Sequence, residues 1–343
     1  MKRAAGLLAL LLAWPALAAA EISLPPGFSV KVYVTGTGFD EGRRGAGIPS
    51  TGSLAFDAAG TLYAARTGRR YVGGEIEDVW PIYRFPIGGA RLTKETERQA
   101  FYGPPLPNPQ VAAVRGGDVL VTTYDRERVV GVLYRLADGR AEMMAGGSPP
   151  TRLTPPTLKQ PEGVALDAEG NLLVADRQHN AIMKLDAAGK MLDPRWQLFP
   201  RPRLLVVRGD RMWVAADGEA EAPWARGTGE VWTVGPEGRR LALRGPVASG
   251  MDVTPGGHLM VADRGNARLI IVGGDSTSVE LVSFTDGDAP RALVFAPATE
   301  ATRTAGIAGD LFVSLIRRGT WSLNEIIRIT GPFDEYARRH LPR

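Results

Sequence analysis

The stretch GVALDAEGNLLVAD, residues 163–176, decides the fold. Val164 and Leu166, then Leu172 and Val174, alternate with the period of two that a pleated strand requires. Between them, Asp167-Ala168-Glu169-Gly170-Asn171 reads as a hairpin turn in which Gly and Asn tolerate left-handed backbone. An apolar strand, a short glycine turn and a second apolar strand recur elsewhere. The copies are SLAFDAAGTLYAAR (53–66), VAAVRGGDVLVTTY (111–124), LLVVRGDRMWVAAD (204–217) and MDVTPGGHLMVADR (251–264). A sixth copy, residues 292–315, has a longer turn. The first-strand anchors Leu54, Val111, Val164, Leu204, Met251 and Leu293 stand 40 to 57 residues apart. That is the scale of one four-stranded propeller blade.

Third strands follow in step, among them PIYRFPIG from residue 81, AIMKLDAAG from 181 and NEIIRITGP from 324. One piece is left over, GFSVKVYVTG at 27–36. Joined to the last blade it closes the ring and leaves no open sheet edge. The sequence therefore predicts an all-β, six-bladed β-propeller over residues 21–332, closed by an N-terminal strand, with 333–343 as a tail. The 42 glycines and 26 prolines suit many short strands joined by tight turns, and no segment shows sustained helical periodicity.

Residues 1–20 read as a cleavable signal peptide. Lys2 and Arg3 precede an apolar run that is too short for a permanent membrane helix, and Ala18 or Ala20 suits the cleaving peptidase. The expected location is the periplasm or outside the cell, with no membrane anchor after cleavage. The absence of cysteine excludes a lipoprotein anchor, disulfides, covalent c-type haem and thiolate metal sites. Stability must then come from the core, which ~320 mature residues can supply. The formal charge is +4, falling to +2 once Lys2 and Arg3 leave. No basic run is interleaved with aromatics, so nucleic acid is not an expected partner.

Two stretches share an opening: VADRQHNAIMKLD (174–186) and VADRGNARLIIV (261–272). With its flanks, residues 160–190, the first closely resembles an NHL repeat, the blade unit of one propeller family; residues 249–272 are a second match. In such a blade the Asp that ends the second strand accepts N–H bonds from the following turn, and the Asn relieves strain there. That accounts for Asp176 with Asn180 and Asp263 with Asn266 as architecture. His179 is the residue of the turn that does not repeat.

Propeller sites cluster at the axial opening where innermost strands begin and second strands end. Counting from the anchors puts Gly52, Pro109, Glu162, Pro202, Ser249 and Arg291 in the inner ring. Glu162 is its only carboxylate. Arg177, Arg264, Arg317 and Arg318 follow second strands, and with Arg291 they present planar donors suited to carboxylates or phosphates. Pairing with Asp176, Asp217 and Asp263 in surface networks is the alternative reading of these arginines. Tyr124, Trp213, Trp224 and Trp321 are candidates for an apolar wall or for blade packing.

The chain ends add a second resemblance. LPPGFSVKVYVTG (24–36) and AGDLFVSLIRRGTW (308–321) look like the opening and closing motifs of soluble glucose and sorbosone dehydrogenases. Those are periplasmic six-bladed propellers using pyrroloquinoline quinone (PQQ) and calcium. A tricarboxylate quinone such as PQQ would satisfy Arg177, Arg264, Arg291, Arg317 and Arg318 as cofactor-binding residues, and so would a sugar acid or a peptide carboxylate. In that family a His-Arg pair precedes the blade turn, and the His is the general base. Here Leu158 and Lys159 stand in those places. The candidates for the base are therefore His179, Glu162 and Lys159. Six-bladed lactonases of the gluconolactonase type hold a divalent metal on axial Glu, Asn and Asp, where this chain offers Glu162 nearly alone; no metal ligand is assigned. The functional expectation is an exported PQQ-dependent oxidoreductase of sugars or other hydroxyl or aldehyde substrates. The alternative is a non-enzymatic NHL-type platform for a small anionic or sugar-like ligand or a periplasmic protein, and metal-dependent lactonase comes third.

Overall fold

The computed structural model describes residues 22–36, 39–40, 43–44, 48, 51–66, 70–72, 75–77, 79–125, 128–147, 157–218, 228–273, 276–285, 287–316 and 325–342. They form a six-bladed β-propeller. Blade 1 is Thr51–Phe56, Leu62–Arg66, Val79–Phe85 and Phe101–Pro107. Blade 2 is Gln110–Arg115, Asp118–Asp125, Val130–Ala137 and Arg140–Gly146. Blade 3 runs Pro161–Leu166, Leu172–Asp176, Ala181–Leu185 and Met191–Leu198; blade 4 runs Pro202–Arg208, Arg211–Ala216, Gly229–Gly235 and Gly238–Gly245. Blade 5 is Ala248–Val253, Leu259–Asp263, Arg268–Val272 and Ser278–Phe284. Blade 6 is Ala289–Phe295, Leu311–Ile316 and Glu325–Thr330, and its outer strand is the N-terminal segment Ser29–Thr35, antiparallel to Glu325–Thr330. The expected ring closure is therefore present. Ile22–Ser23 also pairs with the outer strand of blade 5, so the N-terminus ties two blades together.

The quoted strand shows how the sequence builds this ring. Leu172–Asp176 is buried at every position, although its side chains alternate. Leu172 and Val174 pack against Leu120 and Leu133 of blade 2, whereas Leu173 and Ala175 pack against Leu205 and Val214 of blade 4. Each face of a blade meets a different neighbour, so both parities of the strand are apolar. The core is a set of such interblade layers.

Every innermost strand begins with a break in register, between Thr51 and Ser53, Val111 and Ala113, Pro161 and Val164, Pro202 and Leu204, Ala248 and Gly250, and Pro290 and Ala292. These are β-bulges at one equivalent place, which bend each strand as it reaches the axial opening. Just inside them the strands come very close. A Cβ on Gly163 would lie 2.7 Å from the Arg203 carbonyl oxygen, and one on Gly250 2.5 Å from the Leu293 nitrogen.

Two helices depart from the all-β expectation. Glu300–Thr304 occupies the long hairpin of blade 6, capped by Thr299 and Thr302. Phe333–His340 is not an irregular tail: it buries Phe333 and Ala337 against blades 5 and 6, with Phe28 edge-on to Phe333 at 5.2 Å. The long connection of blade 1 contains a hairpin, Arg70–Val72 with Glu75–Glu77. Residues 1–20, Trp224, Arg317, Arg318 and Trp321 lie outside the described residues.

Candidate functional site

The bulges set the inner ring. At each, one residue on the innermost strand is left without a cross-strand partner: Gly52, Ala112, Arg203, Ser249 and Arg291, and in blade 3 the pair Glu162-Gly163. Two places differ from the count made from apolar anchors. Ala112 replaces Pro109, and Arg203 replaces Pro202. The signal that locates Arg203 is a shared tetrapeptide: Pro161-Glu162-Gly163-Val164, Pro202-Arg203-Leu204-Leu205 and Pro290-Arg291-Ala292-Leu293 open three blades alike.

Arg203 changes the chemistry of the ring. Its Nε donates to Glu162 Oε2 at 2.8 Å, and its Nη1 lies 3.5 Å from Asp217 Oδ1. Arg177 Nε donates to the other oxygen of Asp217 at 2.6 Å, and Gln160 Nε2 donates to Glu162 Oε1 at 2.9 Å. The result is an alternating chain, Glu162–Arg203–Asp217–Arg177, across blades 3 and 4. Glu162 and Asp217 are each 6 % exposed. Burial works against the Arg203 charge, but the two carboxylates outweigh it and hold its pKa above the ordinary guanidinium value. Beside this chain, Gln178 Nε2 donates to Tyr124 Oη at 2.9 Å, which leaves the tyrosine proton free to be donated onward.

The two acids of the repeated Val-Ala-Asp-Arg motif are fully buried. Asp176 accepts from the backbone N–H of Lys159, Gln160 and His179 at 2.7, 3.1 and 3.1 Å. Asp263 accepts from Val247 N–H at 3.1 Å, Asn266 Nδ2 at 2.8 Å and Arg268 Nε at 3.0 Å. Each carboxylate ties its own turn to the segment entering the same blade, which is the architectural role expected. Other details of the turn differ. The left-handed residue is Asn180 in one copy but Ala267 in the other, so the two asparagines are not equivalent. Asn266 instead matches His179.

That correspondence places His179. Its Nδ1 is 3.1 Å from Asp176 Oδ2, though without hydrogen-bond geometry, just as Asn266 leans on Asp263. The ring borders a groove of about 650 Å3 with Phe199, Trp232 and Arg239, on the flank between blades 3 and 4. His258 lies at the opposite end of the propeller and bonds Asp334, and His340 stacks on Tyr336 of the last helix. The described residues put no imidazole at the axial opening.

Leu158, in the place of the dehydrogenase base, is fully buried among Leu120, Leu133, Val164 and Val174. The backbone there aims that side chain into the core. Lys159 is half-buried, its backbone is held by Asp176, and its ammonium makes no ion pair among the described residues. Arg264 opens the turn of blade 5 as Arg177 does that of blade 3, their N–H groups donating to Val247 and Gln160 carbonyls. Arg264 and Arg291 are half-buried, and both are engaged within the protein. Tyr124 belongs to this face, whereas Trp213 lines a cleft at the other end. Among the described residues, no three His, Cys, Asp or Glu side chains converge as a metal site would require. Among the described residues, Glu162 in the ring and Asp217 beside it already face guanidinium groups, so calcium for a quinone and the metal of a lactonase do not fit these residues.

No protein-family model matches the chain, and no curated protein matches it in sequence. Solved structures do. A gluconolactonase from Xanthomonas campestris superposes with a TM-score of 0.55 at 14% identity, over 83% of this chain and 87% of that one. A streptogramin B lyase matches at TM-score 0.50 and 12% identity, over 89% and 98% of the two chains. Virginiamycin B lyase from Staphylococcus aureus matches at 0.50 and 11%, over 88% and 99%. At these identities the shared property is the propeller fold. The glucose and sorbosone dehydrogenase resemblance finds no support among these three structures.

Proposed function

We propose that this chain is an exported ligand-binding propeller whose axial face receives an anionic group, carboxylate or phosphate, beside Lys159. The observation that carries the reading is which side chains are already paired. Glu162, Arg203, Asp217 and Arg177 neutralise one another, and Asp176 is met by three backbone N–H groups. The Lys159 ammonium makes no ion pair among the described residues; its backbone N–H is held by Asp176, and the next residue, Gln160, shares Gln178 with Tyr124. Arg177 and Arg203, 19% and 24% exposed, add guanidinium groups whose outer nitrogens point several donors from one locality.

The oxidoreductase reading has less behind it. Hydride transfer needs a base within hydrogen-bond reach of the substrate hydroxyl. His179 sits on the flank, Glu162 is spent on Arg203 and Gln160, and of the three candidates only the Lys159 side chain makes no ion pair among the described residues. The test is a melting series of the mature protein with gluconate, citrate and PQQ, each with and without calcium, alongside a turnover screen of sugars and aldehydes. Stabilisation by a carboxylate without calcium or turnover supports the binding reading. PQQ- and calcium-dependent turnover, or no stabilisation by any of these anions, contradicts it.

A further inference from the structure

At the end of the propeller away from the axial face, a cleft of about 450 Å3 opens between blade 4, blade 5 and the helix Phe333–His340. Its wall on blade 4 is a row of directly opposed residues: Trp213 pairs with Thr233, and Thr233 with Arg240. Opposed residues on neighbouring antiparallel strands share one face of the sheet, so these three side chains stand together. His258 enters from the hairpin turn of blade 5 and Arg338 from the helix.

Two features mark this as a place that receives something polar. Thr233 is 5 % exposed and lines the cleft, yet its Oγ1 has no hydrogen-bond partner. A buried hydroxyl without a partner is costly, and the protein tolerates it where a ligand supplies the missing bond. His258 Nδ1 donates to Asp334 Oδ1 at 2.8 Å, while Asp334 also accepts from Thr254 Oγ1 and Gly256 N–H. The ring is thereby fixed in orientation, with Nε2 as the nitrogen left for a ligand.

The charges say what kind of ligand. Arg211, Arg240 and Arg338 border the cleft. Against them stand Asp334, committed to His258, and Glu237, 3.5 Å from Arg211 in a pair about half exposed on both sides. An exposed pair of that kind holds its arginine weakly. Arg338 has no ion-pair partner among the described residues. Trp213, Leu259 and Ala337 add an apolar lining.

We propose that this cleft is a second binding site, independent of the axial face, for a small organic oxyanion with a flat apolar body. Its anionic head lies between Arg211 and Arg338 and accepts from Thr233 Oγ1, and its body lies on Trp213.

The probes are phenyl phosphate and benzoate, titrated calorimetrically into the mature protein and into its Lys159→Met variant, which lacks the ammonium proposed for the axial face. The expected result is saturable one-to-one binding of at least one probe to the Lys159→Met protein, and the stronger of the two tells phosphate from carboxylate recognition. Arg211→Ala/Arg338→Ala should weaken it at least tenfold. Thr233→Val keeps the side-chain shape and removes the hydroxyl; it should weaken binding several-fold while the unliganded melting temperature stays level or rises. Should Thr233→Val fail to fold, the double arginine variant alone decides. Absence of saturable binding by both probes, or an affinity unchanged by the arginine pair or by a folded Thr233→Val protein, overturns the proposal.

Discussion

Arg203 Nε stands 2.8 Å from Glu162 Oε2, joining the bulged residues of two neighbouring blades at the mouth of the axis. The bond exists because each innermost strand breaks register at the same place, which brings the two side chains to the ring together. It also ties the Glu162 carboxylate to a guanidinium on one oxygen and to the Gln160 amide on the other.

Removing Arg203 leaves Glu162 and Asp217 buried with one fewer cation between them. Arg203→Ala should destabilise the protein by ~3 kcal/mol, because an uncompensated buried charge is the costly half of a broken pair. Glu162→Gln in the same background should recover part of the loss. Urea melts of the two single variants and the double variant measure the coupling.

His179→Asn converts the turn of blade 3 to the residue found at the matching place in blade 5, Asn266. Stability should change by less than ~1 kcal/mol, within the range of a substitution that removes no buried partner, and axial ligand affinity should stay the same. A tenfold loss of ligand affinity would show that His179 acts at the axial face after all. Asp176→Ala, by contrast, removes a fully buried carboxylate and leaves three part-buried N–H groups without their acceptor, and should cost ~3 kcal/mol.

Two carboxylates give opposite pH signatures. Asp334 is partly desolvated, which raises its pKa, but the bonds from Thr254, His258 and Gly256 prevail and hold it below its ordinary value. Its contribution is present above the unfolded pKa of ~3.9 and is lost as pH falls through the lower folded value. Asp252 is pushed up to about 6 by burial, against the opposing bonds from Phe295 and Val253 N–H. Here the folded state holds the proton more tightly, so stability falls as pH rises from ~4 to ~6 and then levels, by at most ~3 kcal/mol. Chemical denaturation across pH 3–8 should show Asp334→Asn flattening the acid limb and Asp252→Asn flattening the slope below pH 6.

Ring closure depends on one strand. Val34 is fully buried in Ser29–Thr35, so Val34→Ala should cost ~2 kcal/mol in lost burial and cavity. Deleting residues 22–36 uncovers the edge of Glu325–Thr330, and the deleted protein should aggregate or melt without cooperativity in calorimetry.

The blades were legible in the sequence because each hairpin repeats apolar strands around a glycine turn, and Leu172–Asp176 shows why the signal is strong: both of its faces are core. The closing strand was legible as a strand without a blade. The bulges were not, since a one-residue insertion leaves apolar alternation almost unchanged, and Arg203 stayed hidden with them until the Pro-x-x-Leu/Val openings are compared. The final helix is eight residues long and buries two of them, Phe333 and Ala337, four apart, which is too short for a periodic pattern. In the site, Glu162 and the buried Asp176 and Asp263 could be read from position alone. Pairing of the arginines with Asp176, Asp217 and Asp263 was open from the sequence, but that Arg177 meets Asp217 rather than its neighbour Asp176 could not be read, because that pair joins residues 40 positions apart across two blades.

The most direct measurement is a calorimetric titration of citrate into the mature protein and into its Lys159→Met variant, with and without calcium. Binding that saturates in the mature protein, does not need calcium and falls at least tenfold in Lys159→Met is the expected result; at 100 times the dissociation constant it would also add ~2.7 kcal/mol of stability. Equal binding by the two proteins, no binding, or binding only with calcium would contradict an anion site centred on Lys159.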